Sequence, residues 1–391
     1  MSNVYEPHDD SFLLAQVVKD YAKGRVLDMG TGSGYQAATA ASLKRIKEVV
    51  AVDVNPAAVK ACSALKNKKI TCKKSDLFSA LKKEQFDTII FNPPYLPQEG
   101  KSPILALEGG KHGYEVIERF LDQVGEHLTS NGQVLLLFSS HSKPEIILSI
   151  CERNLLSHER ITLQQHFFEE LFVYRITKSM LRQRLERKGV QDLHYFAQGK
   201  RGLVLKGNYK EHSVAIKVKR PSSEAEGRIA NEARFLQIVN KHGIGPQFIA
   251  SGKGYVIYRF VKGQYVKDWL RLASPQETST VLQDILRQCY ELDKLGITKE
   301  EMHRPLTNAI VKDSRATLLD FERSHYSKDP KNVSQFCQFL RNRHDILLEK
   351  RIDIPPTVLL RLVRSYQQRR DQEHFTALQR LIQEKKKEKK I

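Results

Sequence analysis

From residue 25 to about 140, short apolar runs alternate with stretches whose apolar positions recur at helical spacing. The runs are Arg25–Met29, Val49–Val54, Ile70–Lys74, Phe86–Phe91 and Gln133–Ser139, each bounded by Gly, Pro, Asn or Asp. Strands buried on both faces read as such continuous runs, and the helical stretches between them supply the crossovers that parallel strands need. The pattern predicts a mostly parallel sheet with helices on both faces. Two later runs, Arg160–His166 and Leu171–Ile176, are too close together for a crossover and predict an antiparallel hairpin.

Past Ile176 the rhythm changes. Thr177–Gly189, TKSMLRQRLERKG, reads as a basic helical linker. Gly199–Gly207 is punctuated by glycine, Ser213–Lys219 and Gly254–Val261 read as strands, and Glu224–Asn240 and Val266–Leu295 as helices. Strands first and helices after predict an α+β, two-lobed domain. From about Asp345 the chain is helical and basic, ending in EKKKEKKI. The expected segments are 1–177, a linker 178–189, a second domain 190–345 and a basic helical tail 346–391.

Charge adds a partner class. With 64 Lys and Arg against 45 Asp and Glu, the net charge is +19, which points to a polyanionic neighbour such as RNA or a ribosome, contacted through the tail. Five cysteines with no CxxC pair indicate neither a zinc site nor a disulfide framework. The polar N-terminus has no signal-peptide pattern, and no apolar run approaches the ~18 residues of a bilayer span, so a cytoplasmic location is expected.

Candidate chemistry falls at the strand ends. Asp28-Met-Gly-Thr-Gly-Ser-Gly34 follows a strand and opens a helix, and Gly30, Gly32 and Gly34 let the backbone turn tightly against a ligand. The next strand ends at Asp53, placed to accept hydrogen bonds from ribose hydroxyls. The third ends in Ser75-Asp76-Leu77, where Asp76 can accept from an adenine amino group and Leu77 can pack on its ring. Each acid alone reads equally well as a helix cap. In order at successive strand ends, they point to an adenosine-containing cofactor. The fourth strand ends in Asn92-Pro93-Pro94-Tyr95. A planar nitrogen is a weak nucleophile because its lone pair is delocalised. The Asn92 side-chain carbonyl and the Pro93 backbone carbonyl can accept its two N–H groups, with Tyr95 against the plane.

These motifs make residues 1–176 resemble the HemK/PrmC family of protein-(glutamine-N5) methyltransferases, in its short archaeal and eukaryotic branch. Tyr5-Glu6-Pro7 with Asp10-Ser11-Phe12-Leu13-Leu14, and Ala106–Gly110 with Gly113–Ile117, match that branch. The resemblance implies a class I Rossmann-like fold, with a seven-stranded, mostly parallel sheet ending in an antiparallel hairpin. It implies S-adenosylmethionine contacts at Glu6, Gly30, Asp53 and Asp76, and substrate-amide contacts at Asn92, Pro93 and Tyr95. The implied substrate is the Gly-Gly-Gln glutamine of a class-1 peptide release factor, and a small zinc-binding activator subunit is an implied partner. Adenine-N6 methyltransferases share the tetrad, so RNA or DNA adenine is the alternative acceptor.

In the second half, Val214-Ala-Ile-Lys217 is a strand carrying a lysine, preceded by Gly199, Gly202 and Gly207. Glu232 lies on the following helix, Asn308 before a short strand, and Asp320 in Leu318-Leu-Asp-Phe-Glu322. The set resembles an atypical serine/threonine kinase of the RIO type. The resemblance implies ATP held by Gly199, Gly202, Lys217 and Glu232, and Mg²⁺ held by Asn308 and Asp320. The catalytic loop departs from that pattern. Pro305 stands where the base is expected after His303-Arg304, and Glu301 is the substitute candidate. A regulatory pseudokinase is therefore the competing expectation.

Overall fold

The structure, a computed structural model, describes residues 4–98, 107–199, 202–219 and 227–382. The chain divides into two units, Met1–Phe196 with Gly207–Lys210, and Ala197–Lys206 with Glu211–Ile391. The expected terminal run from Glu384, and Ala106 of the loop signature, lie outside the described residues.

The first unit runs α1 (Asp9–Tyr21), β1 (Arg25–Met29), α2 (Tyr35–Ser42), β2 (Glu48–Asp53), α3 (Pro56–Ser63), β3 (Ile70–Lys74), β4 (Phe86–Phe91), α4 (Glu115–His127), β5 (Leu128–Ser139), α5 (Pro144–Arg153), β6 (Leu156–Gln165), β7 (Glu170–Lys178) and α6 (Met180–Arg187). Its seven strands are ordered β3-β2-β1-β4-β5-β7-β6. The first five are parallel, and β7 and β6 close the sheet antiparallel. Period-two alternation decides which helices cover which face. Val26, Val49, Ala51, Ile90 and Leu135 point toward α1 and α2. Their neighbours Leu27, Val50, Val52, Ile89 and Leu136 point toward α4 and α5. Strand β5 starts five residues before the expected Gln133, because Leu128 already pairs with Phe86 ahead of a register shift.

Two expectations need correction here. Cys62 on α3 and Cys72 on β3 form a disulfide, with Cα atoms 6.3 Å apart. Cysteine count and spacing could not reveal it, because the pairing arises only when α3 folds back over its own following strand. The supposed linker is helical but docked. Arg182 on α6 is buried and ion-paired to Glu126 at 2.6 Å and Glu186 at 2.9 Å, and it donates to the carbonyls of Asn154 and Leu193. A Cβ at Gly125 would lie 2.3 Å from the Arg182 guanidinium carbon, so the glycine makes room for it.

The chain continues through β8 (Val190–Gln198), β9 (Gly202–Tyr209), β10 (His212–Lys219), α7 (Arg228–Val239), β11 (Phe248–Gly252), β12 (Tyr255–Arg259), β13 (Gln264–Tyr265), α8 (Val266–Leu272), α9 (Pro275–Lys294), β14 (Ile297–Thr298), α10 (Pro305–Asn308), β15 (Ala309–Lys312), β16 (Arg315–Leu318), β17 (His325–Tyr326), α11 (Asn332–Asn342), α12 (His344–Glu349), α13 (Pro356–Arg369) and α14 (Gln372–Leu381). In the second unit β12 lies between β10 and β11, antiparallel to both. The helical stretch expected over 266–295 is broken, because Ser274 caps a new helix with Pro275 in its first turn and Glu277 completing a capping box. The stretch after residue 345 is no free tail as far as Ile382. Leu359, Tyr366, Phe375, Leu378 and Ile382 are buried in the unit's core, and Tyr366 donates to Asp293 at 3.0 Å.

Candidate functional site

The glycine turn, Asp53, Asp76 and Asn92 follow the C-terminal ends of β1, β2, β3 and β4, which are adjacent and parallel. Ligands bind at that edge of open α/β sheets. Gly30, Gly32 and Gly34 all have positive φ. At Gly34 a Cβ would come within 2.7 Å of Leu65, so this position excludes larger residues on both counts.

Asp28 lies beneath the turn. Its Oδ2 accepts from Thr31 Oγ1 at 2.6 Å and from the Ala37 amide at 3.0 Å. Burial pushes its carboxyl up to about 7 against the pull of those donors. Among the expected cofactor residues it is the one that braces the turn from below. Asp53 is half-buried and accepts from the Gly32 and Asn55 amides at 3.0 and 2.8 Å. A carboxylate has about four lone-pair sites, so two remain for ligand hydroxyls. Asp76 is exposed and paired with Arg119 at 2.7 Å, while Leu77 is buried beside it with φ of 47°. Glu6 is exposed. A floor free of side chains, an acceptor with spare lone pairs and an adjacent acid–apolar pair fit an adenosine-bearing cofactor.

The acceptor end is organised by a residue that spacing did not single out. Asp10, buried on α1, accepts from Asn92 Nδ2 at 2.9 Å and from the Tyr5 hydroxyl at 2.9 Å. With Nδ2 donating to Asp10, the Asn92 amide is held in one orientation. The Asn92 Oδ1 is left buried with no partner among the described residues. Pro93 is buried, and Tyr95 is half-buried with its hydroxyl pushed up by burial and by Asp10. The tetrad's backbone is pinned from outside. Leu96 donates to Leu107 at 3.0 Å and accepts from Gly109 at 2.9 Å, and Ser142 donates to the Tyr95 carbonyl at 2.8 Å. A Cβ at Gly109 would stand 2.4 Å from the Pro94 oxygen, which accounts for the glycines of the loop signature.

A second constellation lies in the second unit. Lys217 on β10 pairs with Glu232 on α7 at 2.7 Å, with Asp320 at 3.0 Å and with Glu322 at 3.1 Å. Burial opposes the lysine's charge, but the three carboxylates outweigh it and hold the ammonium well above its usual value. Burial pushes Glu232 up despite Lys217, whereas Lys217 pulls Asp320 down despite burial. Carboxylate oxygens of Glu232, Asp320 and Glu322 lie within 4.8 Å of one another, a set able to hold a cation. Gly199 donates to the Gly202 carbonyl at 2.9 Å, and a Cβ on Gly202 would rest 3.5 Å from the Lys217 side chain. Asn308 donates to Glu301 at 3.4 Å, and Glu301 also pairs with Arg323 at 2.8 Å. The Leu319 amide donates to the Asn308 carbonyl, which ties this pair to the Asp320 segment. Sequence reasoning missed Glu322, Arg228 and Asn231. Arg228 pairs with Glu322 at 3.4 Å, and Asn231 donates to the carbonyls of Glu322 and Ser324. The one available signal was an acid two residues after Asp320.

Sheet order, glycine turn and strand-end acids together define a class I S-adenosylmethionine-dependent methyltransferase in the first unit. The methyltransferase small domain family model matches residues 7–167. A Methanocaldococcus jannaschii protein named as an N5-glutamine methyltransferase is 39% identical over 145 residues, 35% of this chain and 73% of that protein. Methyltransferase HEMK2 of Homo sapiens is 33% identical over 199 residues, 46% of this chain and 91% of that protein. Through its N-terminal part, the chain belongs to the HemK-type protein glutamine methyltransferase family. Among solved structures, the E. cuniculi Mtq2–Trm112 complex is described as methylating the eRF1 translation termination factor. It is 27% identical with a TM-score of 0.38, covering 45% of this chain and 98% of that one.

Proposed function

We propose that the first unit transfers a methyl group from S-adenosylmethionine to the side-chain amide nitrogen of a glutamine. The acceptor we assign is the Gly-Gly-Gln glutamine of a class-1 peptide release factor, met in the cytoplasm. The observation that carries this reading is the Asp10–Asn92 hydrogen bond, which leaves Asn92 Oδ1 open to an acceptor N–H. When bound, the cofactor supplies an electrophilic methyl carbon. The chain's part is to hold the amide nitrogen in line with it, through Asn92, the Pro93 carbonyl and Tyr95. A small zinc-binding activator subunit is a proposed partner, in line with the Mtq2–Trm112 complex.

Mass spectrometry of a release factor incubated with the full chain and S-adenosylmethionine tests this. One added methyl group on the glutamine, lost in N92A, supports it. Transfer only to adenine-containing RNA or DNA overturns it.

For the second unit we propose an ATP- and Mg²⁺-binding, kinase-like role. Lys217 would meet phosphate oxygens, Glu232 would orient it, and Asp320 with Asn308 would face the metal. Glu301 is the candidate to orient an attacking hydroxyl. The observation favouring this is the assembled Lys217–Glu232–Asp320 cluster. Calorimetry with ATP is the test. Mg²⁺-dependent binding that K217M abolishes supports the assignment, and no binding refutes it. Binding without transfer to any protein would mark a pseudokinase.

A further inference from the structure

We propose that Phe167 and Phe168 are a docking element for the acceptor protein, holding an apolar side chain of it beside the pocket that takes the acceptor amide. The inference rests on the glutamine reading above.

Phe167 and Phe168 connect β6 to β7. The His166 amide donates to the Glu169 carbonyl at 2.7 Å, so the two phenylalanines are the whole of a two-residue hairpin loop. Neither residue has a positive φ, so the turn accepts most residue types, and large apolar rings at its tip are left facing water. Nothing in the turn asks for an aromatic ring. Yet Phe167 is 91% and Phe168 82% exposed, their rings packed edge to face with centroids 4.7 Å apart. Adjacent large apolar side chains left exposed together mark interaction surfaces.

The placement says what they serve. The residues flanking the pair, His166 and Glu169, line a cavity of about 720 Å³ together with Glu6, Asp9, Asp10 and Tyr95. Within it, His166 Nε2 and Glu169 Oε1 are buried without partners among the described residues. One hydrogen bond behind it lies Asn92, whose Oδ1 is also unpartnered. Among the described residues, four carboxylates and no lysine or arginine line this cavity, in a chain whose net charge is +19. A wall of acceptors and negative charge complements a segment rich in N–H donors, such as a polypeptide backbone with amide or basic side chains. It repels a phosphodiester. The occupant is therefore a loop of an acceptor protein. It inserts its amide toward Asn92 and lays a neighbouring apolar residue on the Phe167–Phe168 pair.

The test compares the full chain with the F167S/F168S variant, using a release factor as acceptor. The expected result is a KM for the protein raised about tenfold or more. The kcat at saturation and the melting temperature should stay unchanged, and the conservative F167L/F168L variant should recover most of the loss. A second arm, E169Q, should raise KM in the same direction. An unchanged KM with efficient methylation overturns the docking role and leaves the glutamine reading standing. So does a KM change traced by ultracentrifugation to lost self-association. Methylation of nucleic acid alone overturns both.

Discussion

Asp10 on α1 and Asn92 after β4 are 82 positions apart in sequence and 2.9 Å apart in space. The contact decides which end of an amide faces the acceptor. Replacing Asp10 with asparagine keeps the volume but lets position 10 donate as well as accept, so Asn92 is no longer held in one orientation. D10N is expected to lower kcat roughly 10²-fold, the scale of a slightly misplaced reacting group. S-adenosylmethionine affinity should be unchanged. Steady-state kinetics beside equilibrium cofactor binding checks the split, and an equal loss in both would argue for general disruption.

Asp28 makes stability depend on pH. Burial raises its folded-state carboxyl from 3.8 to about 7. Between those values the folded chain keeps a proton that the unfolded chain has released, so stability falls as pH rises through that window and is level above it. D28N retains an acceptor for Thr31 and Ala37 and does not titrate. The difference in melting temperature, variant minus parent, should therefore grow from about pH 4 to about pH 7 and then level off. Circular dichroism melts across that range give the curve, and a flat difference would contradict it.

Lys217 balances three carboxylates in a mostly buried place. K217M leaves Glu232 without its cation and should cost about 3–5 kcal/mol, the usual result of removing one partner from a buried pair. The double variant K217M/E232L should recover part of that loss. Trp269, the chain's single tryptophan, sits on α8 against the second unit's core, so its fluorescence in urea reports on this unit. Equal stability of parent and K217M would refute the prediction.

The Cys62–Cys72 disulfide closes a short loop between α3 and β3. Constraining a loop of that size is worth about 2–3 kcal/mol in the chain-entropy account. Reductant should lower the melting temperature of the parent and leave C62S/C72S unmoved. Alkylation mass spectrometry before and after reduction should assign the two thiols.

Much of the first unit was legible because its strands are buried on both faces and its ligand-facing residues cluster at their ends. Asp53, Asp76 and Asn92 announce themselves by following β-branched runs. Asp10 does not, since it lies on a helix and acquires its meaning only when α1 is laid beside the tetrad. Cys62 and Cys72 were opaque for the same reason. In the second unit, Lys217, Glu232 and Asp320 stood out by residue type and local pattern. Glu322 and Asn231 act through contacts about 90 to 105 positions away. The stretch after residue 345 looked solvated because its arginines are scattered along it and it ends in the lysine run EKKKEKKI. Leu359 and Tyr366 on α13, and Phe375 and Leu378 on α14, are few, but at helical spacing they line the inward face of each helix.

Those inward faces also bear on the order of events during synthesis. Ser279 donates to the Ile382 carbonyl and Asp293 accepts from Tyr366, so α9 waits for partners made 103 and 73 residues later. The residues of the first unit are complete once Lys210 is made. At ribosomal speed it has roughly 10–30 s to fold before the last helix of the second emerges. From the time α9 is made until that last helix follows, the part of its face that meets Ile382 and Tyr366 lacks its covering.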